Sequence, residues 1–365
     1  MMNHNVSFSH LHQRSRAFFE NFVRCRPIVE PSRRTALYQS QSTSRSPNMN
    51  EGNSLLKPEE SYPFFTISND DQLGQSLGFF GAPQKPPLPP CIEVPLYEPA
   101  EVPIKSHTEP IIVCDGHHKL TFLKGRVSTS DVFGVSNSDL VPGKYEGGLK
   151  LWEGSIDLIK ALNAEIEEGR LTVKGKRVLE LGCGHGLPGI FTALTGASTI
   201  HFQDFNAEVL RFLTIPNVKA NLTENSPYCL PSGKNTEVNM PSNVCFFAGD
   251  WSEVHHSLLH GSKDGCQNED YSNGVSNDGY DIILMAETVY APSSLQSLYE
   301  LIKKCLCPSK GIVYVAGKKH YFGVGGGTRQ FINLVAADGQ MKPLLLAEVA
   351  DGSSNVREVW KLSNE

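Results

Sequence analysis

Short apolar runs of strand length recur along the last two thirds of the chain. They are Lys176–Leu181 (KRVLEL), Ser198–Asp204 (STIHFQD), Val244–Asp250 (VCFFAGD), Tyr280–Glu287 (YDIILMAE) and Gly311–Lys318 (GIVYVAGK). Runs that are apolar on both alternations predict strands buried on both faces of a sheet. Helical periodicity lies between them. In Gly154–Glu168, Ile156, Ile159, Leu162 and Ile166 share one face, and Pro188–Thr195, Ala207–Leu213, Ser293–Cys305 and Thr328–Ala337 are further predicted helices. Leu344–Ala350 and Val356–Leu362 predict a closing antiparallel pair. Strands alternating with helices predict an α/β domain with a parallel sheet covered on both faces.

Other stretches break this pattern. Thr223–Asn243, with Pro227, Pro231 and Pro241, and the polar Gly261–Gly279 are expected to be surface insertions. Eight prolines fall between Pro83 and Pro103, which predicts an extended linker, because proline fixes φ and removes a donor. Phe64–Ile67 and Phe79–Phe80, in the loosely organised stretch from Asn50 to about Pro103, are candidate docking motifs, with a poorly ordered tail as the plainer reading. Residues 1–50 hold seven arginines, eight serines, two glutamates and no lysine or aspartate. That segment is +5 in a chain of −6, so the remainder carries −11. An Arg- and Ser-rich, acid-poor start resembles an organelle transit peptide; the plainer readings are a disordered leader, or an upstream extension ahead of a second start at Met49. The expected organisation is a leader over 1–50, a Pro-rich linker over 51–110 and a folded domain over 111–365.

The chain has 365 residues and is 39% hydrophobic, enough for a sizeable core. Its negative balance argues against a strongly basic nucleic-acid binder, and no run approaches the ~20 apolar residues of a membrane span. The nine cysteines are odd in number and include no C-x-x-C pair, which argues against a disulfide framework or a zinc site. Cys305 and Cys307 form a C-x-C with no second cluster, and no metal site is expected.

Chemistry concentrates at strand ends. Val178–Gly186 (VLELGCGHG) carries a strand into Gly182-x-Gly184-x-Gly186, where glycines permit a tight bend and close approach of a ligand. A tight turn with no ligand is the plainer alternative. Asp204 ends the next strand, 22 residues after Gly182, a spacing suited to accepting ribose hydroxyls. Together they point to an adenosine-containing cofactor. A dinucleotide enzyme would place G-x-G-x-x-G here with a pyrophosphate on the helix N-terminus; this chain continues Leu187-Pro188-Gly189 instead. At Gly249-Asp250-Trp251 a carboxylate is placed to take an adenine amino group and an indole to pack on the ring.

The strand LELGCG resembles the cofactor motif of class I S-adenosylmethionine-dependent methyltransferases. YEGGLKLWE (145–153), Gln203-Asp204-Phe205-Asn206, Ile215-Pro216-Asn217-Val218, Gly249-x-Trp251-Ser252-Glu253, Glu287-Thr288-Val289-Tyr290 and KHYFGVGGG (319–327) are similar to segments of the protein-histidine N-methyltransferase family, over about residues 138–365. The departures are His185 for a small polar residue, Phe205 for tyrosine and Ala286 for serine.

The resemblance implies a Rossmann-like, seven-stranded class I methyltransferase fold behind a mostly disordered N-terminal region. It implies methyl transfer from S-adenosylmethionine to a histidine ring nitrogen of a protein, in this family a large-subunit ribosomal protein. Leu151, Trp152, Glu153, Gly154, Ser155, Gly182, Gly184, Gln203, Asp204, Phe205, Gly249, Asp250, Trp251 and Ala286 would line the cofactor, with Trp152 on the methionyl side and Asp204 on the ribose. Glu287, Tyr290 and His320 are the candidates for handling the acceptor, since ligands of open α/β sheets bind at the carboxyl ends of the strands. Gly323–Gly327 is expected to form a flexible loop able to fold over substrate. The rival readings are a protein-lysine methyltransferase, often marked by D-x-x-Y where this chain has Glu287-x-x-Tyr290, and a non-catalytic ribosome-assembly protein of the same fold. An RNA methyltransferase is disfavoured, because no basic, aromatic-interleaved run occurs in 111–365. A monomer in cytoplasm and nucleus is expected, with an organelle as the alternative if the leader is a transit peptide.

Overall fold

A computed structural model describes residues 88, 90–96, 107–114, 119–135, 138–222, 243–260, 279–350, 352 and 355–364. The strands are β1 (Ile92–Glu93), β2 (His107–Cys114), β3 (Lys119–Arg126), β4 (Arg177–Leu181), β5 (Thr199–Asp204), β6 (Asn243–Ala248), β7 (Ile282–Ala286), β8 (Ile312–Lys318), β9 (Lys342–Ala350) and β10 (Val356–Ser363). The helices are α1 (Thr129–Phe133), α2 (Glu153–Glu167), α3 (Leu187–Leu194), α4 (Ala207–Val209), α5 (Ile215–Leu222), α6 (His255–His260), α7 (Leu295–Cys305) and α8 (Thr328–Asp338).

The main sheet runs β1-β6-β5-β4-β7-β8-β10-β9. The five expected buried strands are its parallel centre, and β10 is antiparallel to both β8 and β9. Leaving β1 aside, this is the seven-strand order of the class I S-adenosylmethionine-dependent methyltransferase fold. The core lies on both faces. Leu158, Ile159 and Leu162 of α2 pack on one side with Ile190 and Phe202; Leu298, Ile302 and Phe331 from α7 and α8 pack on the other with Ile283 and Val315. The buried face of α2 also carries Asp157 and Glu165. They reach β10, with Arg357 donating to Asp157 at 2.6 Å and Lys361 to Glu165 at 2.8 Å. Paired charges of this kind tolerate burial, whereas either partner alone would not.

Three findings correct the expected organisation. Within the Pro-rich stretch, Ile92 and Glu93 pair with Ala248 and Phe247, adding an eighth strand to the sheet edge. The proline signal hid it because at an edge only one side of the strand needs its N–H groups. The ordered domain also begins before residue 111, because β2 starts at His107 and forms a hairpin with β3. That hairpin docks through side-chain amides of α5. Asn221 accepts from Leu123 N (2.7 Å) and donates to Leu123 O (2.6 Å), and Asn217 accepts from Gly125 N (2.6 Å). Finally, the helix expected over Ala207–Leu213 runs on through a π-helical stretch, Leu210–Thr214, into α5. The leader, the motifs at 64–67 and 79–80 and most of both insertions lie outside the described residues.

Candidate active site

Gly182, Gly184 and Gly186 have φ of 59°, 47° and 69°, a region that L side chains rarely occupy. A Cβ on Gly182 would lie 2.7 Å from Thr288 Cγ2, and one on Gly184 3.0 Å from the Gly148 carbonyl. The turn is therefore pressed between the strand ends and the YEGG segment. Thr214 ties it down from the π-helical stretch, donating to Gly184 O at 2.6 Å.

The amides of this turn have internal partners. Gly182 N donates to Gln203 Oε1, Cys183 N to Gln203 O, Gly184 N to Asp204 Oδ2 and Gly186 N to Cys183 O. At the start of α3, Gly189 N donates to Glu180 at 2.8 Å, and burial pushes that carboxyl up to about 8. A pyrophosphate needs such amides for itself. Here those of Gly182, Cys183, Gly184, Gly186 and Gly189 are committed, which disfavours a dinucleotide and suits a cofactor without phosphates. Beside the turn, the buried Thr288 hydroxyl has no hydrogen-bond partner among the described residues. The turn and its surroundings fit S-adenosylmethionine, the cofactor of this fold.

The other cofactor candidates gather at this rim with roles more structural than expected. Gln203 is a staple: besides Gly182 N it accepts from Trp251 Nε1 (3.0 Å), and it donates to Gly249 O (2.9 Å). Trp251 is thus pinned by its indole N–H rather than left to pack freely on a ring. Asp204 is 4% exposed and also accepts from Asn206 N at 3.1 Å; burial is the main cause lifting its carboxyl to about 6. Asp250 accepts from Ser252 N and Oγ, capping its own turn. Phe205 and Ala286 are half-buried at their strand ends. Leu151 packs on the core, and Glu153, Gly154 and Ser155 form the first turn of α2. Trp152 donates to Gly147 O at 3.1 Å, and the ammonium groups of Lys150 and Lys318 stand 4.4 and 5.5 Å from the centre of its ring. His185 turns away from the rim: it is buried, and Asn217 donates to its carbonyl at 2.9 Å. Loss of hydration pulls its imidazole down to about 3, so it stays neutral.

A second cluster forms at the ends of β7 and β8. Glu287 is 8% exposed and is the non-glycine residue with positive φ, 59°, among those described. Strain of this sort costs about 1–3 kcal/mol and persists only where the surroundings enforce it. Its Oε1 accepts from Gly154 N at 3.1 Å, and a Cβ on Gly154 would lie 2.7 Å from that oxygen. Its Oε2 accepts from the Tyr321 hydroxyl, which in turn accepts from Lys318 N at 3.2 Å. Burial raises the Glu287 carboxyl, while the Tyr321 hydrogen bond and the Lys318 charge oppose the rise. Tyr290 donates to Glu146 and meets Tyr321 edge-on at 6.4 Å.

Glu287 and Tyr290 therefore share one site, and His320 does not join it. His320 is exposed on the outer side of its loop, its ring beside that of Phe322. The residues missed from sequence are Tyr321, Glu146, Lys318 and Thr288. Tyr321, Thr288 and Glu146 lie inside the KHYFGVGGG, ETVY and YEGGLKLWE matches, which were the available signal, and Lys318 directly precedes the first of these. The expected loop over Gly323–Gly327 is tied down at its C-terminal end. Gly326 N donates to Tyr290 O (2.9 Å), Gly327 N to Val289 O (2.8 Å) and Tyr321 N to Gly326 O (2.9 Å). Side chains at 326 and 327 would collide with backbone, so these glycines serve close packing. Among the described residues no three His, Cys, Asp or Glu side chains form a metal-sized cluster, and no helix is long and apolar enough to cross a membrane.

Residues 142–230 match the family described as lysine methyltransferase. The chain is 39% identical to a Dictyostelium discoideum protein named histidine protein methyltransferase 1 homolog, over 63% of this chain and 62% of that one. A Bos taurus protein of the same name is 37% identical, over 60% and 56%. Protein N-lysine methyltransferase METTL21A of Danio rerio is 32% identical over 42% of this chain and 53% of its own. The chain thus aligns with roughly three fifths of the length of the histidine-methyltransferase relatives.

Proposed function

We propose that this homologue of the proteins named histidine protein methyltransferase 1 methylates a ring nitrogen of histidine in a protein substrate. The observation that carries the reading is Glu287. Its buried carboxylate, in a strained backbone conformation, is held between the first turn of α2 and Tyr321 at the carboxyl end of the sheet. S-adenosylmethionine, when bound, supplies an electrophilic methyl group. An imidazole needs little activation, since its pKa of ~6.5 leaves much of it neutral at pH 7 with one lone pair free. What it needs is alignment and choice of tautomer. A carboxylate that accepts the N–H of one ring nitrogen leaves the other as the nucleophile. Glu287 is suited to that role because Gly154 N and Tyr321 each use one acceptor position and leave others open.

The lysine reading shares the fold and is favoured by the family description of residues 142–230. The longer, closer matches to histidine-methyltransferase proteins and the Glu287-x-x-Tyr290 spacing favour histidine. We place the substrate among large-subunit ribosomal proteins and the protein itself, as a monomer, in cytoplasm and nucleus. Large-subunit proteins from cells lacking this gene, incubated with the protein and methyl-tritiated S-adenosylmethionine, should yield one labelled methylhistidine isomer on amino-acid analysis. Labelled methyllysine as the main product overturns the assignment. A reporter fused to the full chain should fill cytosol and nucleus; confinement to an organelle refutes that part.

A further inference from the structure

We infer that residues 90–92, on and beside the edge strand β1, form the outer wall of the pocket that takes the adenine ring of the cofactor. The inference rests on the cofactor reading above and extends the site to a segment outside its motifs.

Three observations converge. The first is order along the rim. The glycine turn follows β4, Asp204 ends β5, and the next strands outward are β6 and then β1. A cofactor whose methionyl end lies at the turn and whose ribose lies at β5 must project its base toward β6 and β1. The second is a cavity of about 530 Å³ at that position, lined by Pro90, Ile92, Phe133, Lys144, Phe205 and Ala248, among others. Its size is that of a small-molecule pocket. Its walls combine the rings of Phe133 and Phe205 and the apolar Ile92 with the polar Lys144, Asn206, Glu208 and Arg211, chemistry that suits a flat heterocycle with apolar faces and a polar edge. Phe205, in the cavity wall, directly follows Asp204 in the chain.

The third observation explains a residue of the cofactor motif. Gly249 has φ of 144°, and a Cβ there would lie 2.6 Å from Cys91 Sγ. Its position demands glycine partly because the N-terminal segment crosses it. Val94 N donates to Phe246 O at 2.8 Å, and Ile92 pairs with Ala248, so the segment is held in register against β6. The same Gly249 carbonyl accepts from Gln203, the staple of the glycine turn. The edge strand is thus tied into the framework that shapes the cofactor rim.

The test uses the full chain and two probes. In calorimetry with S-adenosylhomocysteine, Ile92→Trp, which fills the cavity while keeping a good strand former, should weaken binding at least tenfold. Ile92→Val should stay within twofold of the parent. The unliganded thermal midpoint of each variant reports whether the strand is kept. Irradiation of the unmodified protein with an 8-azidoadenine analogue of S-adenosylmethionine should label a peptide containing residues 90–92. A folded Ile92→Trp protein with unchanged affinity, or labelling confined to peptides that contribute nothing to this cavity, overturns the inference and leaves the cofactor reading standing. A parent protein that binds neither probe overturns both.

Discussion

At the β4–β6 end of the sheet, the polar side chains on the rim mostly serve main-chain groups, with the Trp251 indole and the Ser252 hydroxyl as side-chain partners. Gln203 serves Gly182 and Gly249, Asp204 serves Gly184 and Asn206, and Asp250 serves Ser252. At the β7–β8 end, side chains from distant segments meet one another: Glu287 with Tyr321, and Tyr290 with Glu146, 144 residues apart. The first arrangement fixes the shape of a loop and can be written as a short motif. The second creates a chemical environment and requires the fold to be assembled first. The β4–β6 end is thus fixed in shape, whereas the β7–β8 end surrounds a buried carboxyl, Glu287, whose state its neighbours control.

Removing Asp204 should give the largest effect. Asp204→Ala leaves the amides of Gly184 and Asn206 without acceptors, each costing ~1–3 kcal/mol when buried. Both the unliganded thermal midpoint and the affinity for S-adenosylhomocysteine should fall. A variant that loses affinity with an unchanged midpoint would mean that Asp204 serves the ligand and not the loop. Glu287→Gln should instead lower turnover by about 10²-fold, or ~2.7 kcal/mol, with cofactor affinity within threefold. Equal losses in both would merge the two ends into one.

His201 tests how far burial sets protonation within β5 itself. Its Nδ1 pairs with the Tyr280 hydroxyl at 2.6 Å, and desolvation, with Arg177 nearby, lowers it to about 3. The unfolded chain takes up that proton near pH 6.5 and the folded chain only near 3. The stability contribution is therefore whole above about 6.5 and is lost as pH falls, by at most ~1.4 kcal/mol per pH unit. His201→Leu should remove that slope between pH 6.5 and 4.5 in chemical denaturation; parallel curves for the two proteins would refute a neutral His201.

Tyr321→Phe should cost about tenfold in turnover, ~1.4 kcal/mol. The groups facing Glu287 are Tyr321, Lys318, Glu153 and the Gly154 amide. Losing the tyrosine removes a donor that lowers the carboxyl, so the acidic limb of the kcat profile should move to higher pH. An unmoved limb would show that Tyr321 only packs. The smallest effect belongs to His320→Ala, less than twofold in turnover, and a tenfold loss would return that exposed ring to the acceptor site.

The five central strands, the helices starting at Glu153, Leu187, Leu295 and Thr328, the closing antiparallel pair and the glycine turn were legible in the chain. Each rests on local physics: apolar runs long enough for a buried strand, and glycine where φ must be positive. Gln203 and Asp204 were legible as positions, because a strand end lies a fixed distance along the chain from the turn. Their duties were not, since hydrogen bonds to Gly249 and Gly184 exist only once neighbouring strands are in register. The edge strand at Ile92 and the docking of the β2–β3 hairpin escaped because their partners, β6 and the amides of Asn217 and Asn221, lie about 90 or more residues away. His320 and Tyr321 are adjacent in one motif, yet one faces solvent and the other bonds Glu287. Sequence determined which residues cluster at the strand ends. Only tertiary structure decided which of them face each other, because pairing across the sheet depends on the packing of the whole domain and not on spacing along the chain.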